Sequence, residues 1–504
     1  MTNSLERAKK RLEMQDVDEA FGGLKSAYVK LSLGGDSHIG KVMDVSENGL
    51  RVLFNLPASA FPAPGSLMER ISLGTALSCH VLERLTVTRV VRVADGNVEL
   101  GLLGEDSETR ATLWRVFHQL QTIKEAEAYE AVQPEKLERI PGRGHYTEEA
   151  RVERLAFARR VSGASLETLD KIDLVAESLT GNIENLVGSV EIPVGLAGPL
   201  WFKGDNVIGP IYAPMATTEG ALVASATRGA VAISRSGGIT TRVHRQRMFR
   251  VPLFVFNSTE AASTFRAWVE DHVEEIRAQT RLVSKHARLT AVLPDQVGPR
   301  VNITFAYETG DAAGQNMTTS CTWKACQWLL EQLQFYPDIV VERFAVDGNM
   351  SGDKKANFQS FLVGRGTRVS AEALIPNEIL EKVLKVTPRQ LRETHENGVA
   401  AGISIGMLGN NVNIANAIAA IFTATGQDIA SVHESSLGNL RVHASDTAVH
   451  FSLDLPALIV GSVGGGTNLP NQGNYLELMG CKGANRSGRL AEIIAGYCLA
   501  LDIS

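Results

Sequence analysis

The segment Pro214-Met-Ala-Thr-Thr-Glu219-Gly-Ala-Leu-Val-Ala-Ser225 sets an acidic side chain at the entrance to a run of small apolar residues. Thr217 and Thr218 are good helix caps, so the pattern predicts a helix over Ala221 to Ile233 with Glu219 in its first turn. A run this apolar belongs in a core. A carboxylate entering it is costly to keep charged, which predicts a raised pKa and a proton donor or relay. The plain alternative is a first-turn Glu that satisfies the helix dipole.

The chain has 504 residues, room for two to four domains. Its net charge of -6 suggests neither a nucleic-acid polymer nor an anionic membrane surface as partner. The five cysteines, Cys79, Cys321, Cys326, Cys481 and Cys498, form no metal-spaced pair, so no metal is expected and the thiols fit a reducing compartment. No run reaches the ~18 apolar residues of a membrane span, and Met1 to Gln15 is polar. The expectation is a soluble, cytoplasmic protein. Glycine is frequent, at 46, and clusters after residue 180, which points to close backbone approaches around a ligand.

Residues 1–125 alternate apolar and polar side chains at Val29–Leu33, Gly40–Val45, Gly49–Phe54, Leu77–Val93 and Asn97–Leu103, and a helix follows from Ser107. This predicts a small β-barrel closed by a helix. Within it, Asp44-Val-Ser46-Glu-Asn-Gly49 resembles the D-x-S-x-x-G motif of PilZ domains, a family that binds cyclic di-GMP. Arg7-Ala-Lys-Lys-Arg11 has the family's R-x-x-x-R form, farther from the first strand than is usual. Arg7, Arg11, Asp44, Ser46 and Gly49 are therefore the candidate cyclic di-GMP residues. The plain reading is a turn between strands and a solvated helix face. Residues 126–150 are charged and broken by Pro134, Pro141, Gly142 and Gly144, as a linker is. No G-x-G-x-x-G follows a strand, so a dinucleotide would have to bind without the usual fingerprint.

Five further stretches carry chemistry. Glu184-Asn185 through Gly198-Pro199 reads as a strand and tight bend. Thr309-Gly-Asp311-Ala-Ala-Gly314-Gln-Asn316-Met317 allows a backbone to approach a phosphate, or is a helix start capped by Asp311. Asp347-Gly-Asn349-Met-Ser-Gly-Asp353-Lys354-Lys355 makes a fixed cationic spot. Gly426-Gln-Asp428 ends the apolar helix that carries Asn416. Gly464-Gly-Gly466 follows an apolar strand, where each glycine weakens the element it sits in.

Together with the Glu219 segment, and in this order, these stretches resemble hydroxymethylglutaryl-CoA reductases, closest to the class I branch that uses NADPH. The resemblance runs from about residue 150 to 504. It implies an α+β multidomain fold: the PilZ-like barrel, then a helical and β-stranded substrate domain over 151–251 and 346–504, with a ferredoxin-like α+β cofactor domain inserted at 252–345. It also implies two hydride transfers that turn hydroxymethylglutaryl-CoA into mevalonate and CoA. On that basis Lys354 holds the developing oxyanion, Glu219 delivers a proton, Asp428 couples the two, and Asn416 orients the group. Ser225, Arg250, Asn349 and Lys355 match positions that grip the hydroxymethylglutaryl moiety, and Glu184 and Asn185 lie near the CoA arm. Asp311, Gly314, Asn316, Met317, Gly464 and Gly465 match cofactor positions. Ser284 and Lys285 match a Ser-Arg pair that recognises the extra phosphate of NADPH. The family shares its sites across a dimer interface, so a homodimer or higher homo-oligomer is expected.

The match departs from the family in three places. The family's thiolate-protonating His sits on a flap beyond the position of Ser504, and none of the eleven histidines obviously replaces it. Asp347 stands where the family has Ser, and Glu396 where class I has Lys, so both turn negative charge toward an anionic substrate. The alternative function is an impaired, reductase-like regulatory protein that binds CoA, NADPH or cyclic di-GMP.

Overall fold

Alternation builds the first unit. In a computed structural model, which describes residues 12–13, 28–33, 36–56, 61–74, 79–93, 97–130 and 138–504, the chain divides into two units, Met1–Arg139 and Ile140–Ser504. The first contains β1 (Leu12–Glu13), β2 (Tyr28–Leu33), β3 (Asp36–Val45), β4 (Gly49–Asn55), β5 (Leu67–Gly74), β6 (Cys79–Arg92) and β7 (Asn97–Gly104). The strands pair in the order β3-β2-β5-β6-β7-β4, and β4 returns to β3, closing a six-stranded barrel. Val52, Phe54, Leu82, Val87 and Leu100 fill its interior. The helix Ser107–Glu130 packs Leu113, Val116 and Phe117 into the same core. Strand β5 escapes a period-two reading because Glu69 and Arg70 fall together between the buried Met68 and Ile71, and Arg70 has a φ of 54°.

The D-x-S-x-x-G segment forms the β3–β4 turn. Asp44 is buried and accepts from Arg51 Nε at 2.8 Å. The amide and hydroxyl of Ser46 both donate to the Gly49 carbonyl, at 2.8 and 3.1 Å. Arg7 and Arg11 lie outside the described residues.

The second unit opens with the helix Glu148–Ser162 and a hairpin of β8 (Val194–Lys203) and β9 (Ile208–Ala216). An eight-stranded antiparallel sheet follows: β10 (Thr240–Arg250), β11 (Leu253–Phe256), β12 (Arg288–Val297), β13 (Arg300–Glu308), β14 (Val341–Ala345), β15 (Gly366–Pro376), β16 (Asn439–Ala444) and β17 (Ala448–Leu458). Its order is β14-β11-β13-β10-β15-β17-β16, with β12 on β13. Taken alone, β11, β12, β13 and β14 run in the spatial order 4-1-3-2, with helices before β12 and before β14. This is the ferredoxin-like β-α-β-β-α-β arrangement. It has its own core around Phe254, Phe265, Ile303, Phe305 and Leu329. The larger core surrounds the helices Ile414–Thr425 and Ser487–Asp502, the second buried along nearly its whole length.

The helix after Glu219 differs from expectation. It spans Leu222–Arg235, and Ala221 stands at its N-cap with a φ of 70° and no side-chain cap. The Thr217 hydroxyl instead accepts the Glu219 amide at 2.9 Å, a local turn that competes with helix capping. Glu219 is therefore exposed in the loop ahead of the helix, so the expectation of a carboxylate buried in its first turn does not hold.

Gly229 on that helix meets the C-terminal helix backbone to backbone: an added Cβ would lie 1.7 Å from the Ala500 carbonyl oxygen. Gly229→Ala should force the helices apart and cost about 1–3 kcal/mol, read as a lower urea midpoint. Gly398→Ala, on an exposed helix face with open space around it, should leave the midpoint unchanged or raise it.

Candidate active site

A cleft of about 640 Å³ opens in the second unit where three backbone features converge. One is the glycine run, one the turn Gly426-Gln427-Asp428, and one the start of the helix Gln315–Leu333. The first two touch without side chains: a Cβ on Gly426 would sit 2.2 Å from the Gly466 oxygen, and one on Gly466 would sit 2.5 Å from the Gly426 oxygen. Gly464 and Gly465 have φ of 78° and 56° and open space where a Cβ would go. That bare cradle faces a helix N-terminus beginning at Gly314, Asn316 and Met317, so amide donors and a positive dipole end line one cavity.

Lys354 and Asp428 line the same cleft, and Lys354 Nζ lies 3.0 Å from Asp428 Oδ2. Their side chains are 41% and 36% exposed, a setting in which an ion pair contributes only ~0–1 kcal/mol. The pair's consequence is therefore geometric: one carboxylate holds the ammonium at the cleft. Asp428 Oδ1 also caps the next turn, accepting the Ala430 amide at 3.1 Å. Sequence reasoning missed two amides that brace this wall. Gln427 Oε1 accepts the Gly461 amide at 2.9 Å, and Gln315 Nε2 donates to Ser431 Oγ at 3.2 Å.

Glu219 is not among the residues lining this cleft. Its Oε2 accepts from Asn416 Nδ2 at 2.7 Å, at the opposite end of the helix Ile414–Thr425 from Asp428. The expected trio is thus two pairs within one chain: Lys354 with Asp428, and Glu219 with Asn416.

The family model described as hydroxymethylglutaryl-coenzyme A reductase matches residues 150–504. The chain belongs to this family. The 3-hydroxy-3-methylglutaryl-coenzyme A reductase of Aeropyrum pernix is 41% identical over 368 residues, covering 72% of this chain and 86% of the relative. The Pyrococcus horikoshii reductase is 37% identical, covering 70% and 86%. The NADPH-bound class II reductase of Streptococcus pneumoniae shares the fold, with a TM-score of 0.52 at 19% identity over 70% of this chain and 95% of that one.

Other positions expected from the reductase family are placed as follows. Arg250 is buried, and its guanidinium is already engaged. It donates to Thr319 Oγ1 at 2.6 Å, Asp347 Oδ2 at 3.0 Å and Asp353 Oδ2 at 2.9 Å. Asp347 thus does not aim bare charge at a substrate. It neutralises Arg250 and accepts the Asn349 amide at 2.8 Å. Glu396 is exposed on the helix Pro388–Ser404, 3.9 Å from Arg392, and does not line the cleft. Lys355 is exposed and donates to the Asp353 carbonyl, and Ser225 lies in the first turn of Leu222–Arg235. Glu184 is exposed. Asn185 has a φ of 53°, and its buried Oδ1 has no hydrogen-bond partner among the described residues. Asn182, unremarked in the sequence, donates to the Gly465 carbonyl at 3.0 Å and ties this segment to the glycine run. Ser284 Oγ lies 3.1 Å from Met317 Sδ, with Lys285 exposed beside it.

Asp311 is engaged away from the cleft. Its carboxylate accepts the amides of Asn485, Arg486 and Ser487 at 2.6–3.1 Å, capping the helix Ser487–Asp502 rather than its own. Burial raises its pKa, but these backbone donors outweigh burial and hold it below the usual 3.8. A depressed folded value stabilises the fold above the unfolded value and is lost as pH falls through the folded one. Asp311→Asn should therefore be less stable than the wild type at pH 7, and the gap should shrink below about pH 4; parallel urea titrations at both pH values check this.

Proposed function

We propose that this chain reduces hydroxymethylglutaryl-CoA to mevalonate and CoA with two hydrides from NADPH. The observation that carries the proposal is Lys354 Nζ held 3.0 Å from Asp428 in a cleft floored by bare glycine backbone. The donor set fits a dinucleotide. Gly464 and Gly465 leave room for a pyrophosphate, the amides from Gly314 onward face it, and Ser284 with Lys285 sits next to Met317 to meet a 2′-phosphate. The nicotinamide supplies the hydride when bound. Lys354 stabilises the oxygen that gains charge as the thioester carbonyl, and later the aldehyde, is reduced. Asp428 keeps that ammonium oriented. Glu219 delivers the proton, and Asn416 fixes its carboxylate by donating to one oxygen.

Since Glu219 does not line its own chain's cleft, we propose a homo-oligomer in which it serves the Lys354 of a second copy. Mixing two impaired variants, Glu219→Gln and Lys354→Ala, should restore turnover through hybrids that hold one complete site. No recovery after subunit exchange would count against sharing.

The direct test is CoA release, trapped as the thiol, with hydroxymethylglutaryl-CoA and NADPH. Two NADPH oxidised per CoA is expected, whereas cofactor binding without oxidation would favour the regulatory alternative. Lys354→Ala should lower kcat by ~10²–10³. Lys285→Ala should raise KM for NADPH and leave KM for NADH unchanged.

For the barrel the proposed ligand is cyclic di-GMP. A cavity of about 500 Å³ beside the β3–β4 turn, lined by Glu47, Asn48, Arg110, Trp114 and Arg115, supports it. Two guanidiniums suit phosphates, and an indole that is 50% exposed suits a purine face. Calorimetric titration with cyclic di-GMP should show binding that Trp114→Ala weakens; no heat at high micromolar ligand would reject it.

A further inference from the structure

Behind the Lys354 loop lies a cluster of charged groups that the chemistry above leaves unused. Glu434 is 0% exposed and Arg365 is 2% exposed. Arg365 donates through Nε to Glu434 Oε2 at 2.8 Å and through Nη2 to Glu434 Oε1 at 2.6 Å, a two-point fork. The same guanidinium reaches Asp353, whose other oxygen accepts from Arg250. Burial opposes the charge on Arg365, but its hydrogen bonds to Glu434 and the charges of Glu434 and Asp353 outweigh it. Burial also raises Asp353, yet Arg365 and Arg250 hold it below the ordinary carboxylate range. Both effects favour the ionised forms. Stability is a poor reason for such a cluster, because well-packed apolar residues often serve as well or better.

The cluster ends on the catalytic loop. Glu434 Oε1 accepts the Lys354 amide at 2.9 Å. The neighbouring His433 places Nδ1 at 2.9 Å from the Lys354 carbonyl oxygen. Adjacent residues of one short helix, Val432–Ser435, thus hold both ends of a single residue's backbone. That residue needs holding: Lys354 has a φ of 58°, a left-handed conformation that L side chains rarely adopt. From this backbone setting its ammonium meets Asp428.

We propose that Glu434 and Arg365 are positioning residues for the reduction, and that with His433 they clamp Lys354 so that its ammonium points into the cleft. The proposal rests on Lys354 acting on the substrate oxygen. Asp353 extends the clamp to Arg250, so one ionic chain joins the end of β10 to the loop that carries Lys354.

The test compares Lys354→Ala, His433→Ala, Glu434→Gln and the double variant Arg365→Met with Glu434→Leu. The double variant removes both buried charges at similar volume, so it should fold with a thermal midpoint near the wild type. It also removes the acceptor for the Lys354 amide. Its kcat should fall by about 10²-fold, with KM for hydroxymethylglutaryl-CoA and for NADPH little changed. Glu434→Gln keeps an amide oxygen for the Lys354 N–H and should retain more activity than the double variant. His433→Ala, at an exposed position, should show a smaller fall in kcat alone. A folded double variant with wild-type kcat would overturn the clamp. If the Glu434 variants do not fold, unchanged kcat in His433→Ala would overturn it. Wild-type turnover in Lys354→Ala would instead show that the role of Lys354 is wrong, and the clamp would fall with it.

Discussion

Gly426 against Gly466 is the contact on which the site depends. Two backbones meet with no side chain between them, so the turn after the helix Ile414–Thr425 lies directly on the glycine run. Asp428, two residues beyond Gly426, is thereby brought to the cleft wall, while Gly464 and Gly465 are left bare on its floor. Gln427 locks the arrangement by accepting the Gly461 amide. A methyl group at either contact glycine would push the wall off the floor. This is why glycine sits where its conformational cost is not repaid locally.

Charge is used in two distinct ways around that contact. At the cleft surface Lys354 and Asp428 are half-open to water and add little to stability, which leaves them free to respond to a ligand. Away from the cleft, carboxylates serve to hold backbone. Asp311 caps the N-terminus of the C-terminal helix. Asp502, near that helix's other end, accepts the amides of Val412 and Asn413 at the start of the helix carrying Asn416. Burial pushes Asp502 up to about 6 despite these donors. The C-terminal helix is thus fastened at each end to a segment that carries site residues, and its apolar length fills the core between them.

Much of the architecture is legible from residue pattern. Alternation at Val98, Leu100 and Leu102 marks a barrel strand, and the periodic Leu113, Val116 and Phe117 mark the helix that plugs it. The misses have local causes. Arg70, with its positive φ, breaks the alternation of β5. Thr217 spends its hydroxyl on a turn, so the helix starts later than its caps suggest and Glu219 stays outside it. Asp347, read as stray negative charge near a substrate, is the counterion of Arg250. No sequence signal distinguishes a charge facing a ligand from one facing a buried guanidinium, because that depends on the loop opposite.

By itself the sequence determined the family, the order of its motifs, the alternation that makes sheets, and the glycines that permit positive φ. The alternation and the positive-φ glycines are short-range properties, set by each residue and its near neighbours, and the family follows from such local motifs taken in order. Only the tertiary structure decided which charges meet. Lys354 finds Asp428, Arg365 finds Glu434, and Asp311 finds the amides of Asn485 to Ser487, each across a long stretch of chain. It also decided that Glu219 turns to Asn416 instead of Lys354. The physical reason is that an ion pair or hydrogen bond acts over a few ångströms, and strand register together with helix contact, not sequence spacing, brings distant residues within that range.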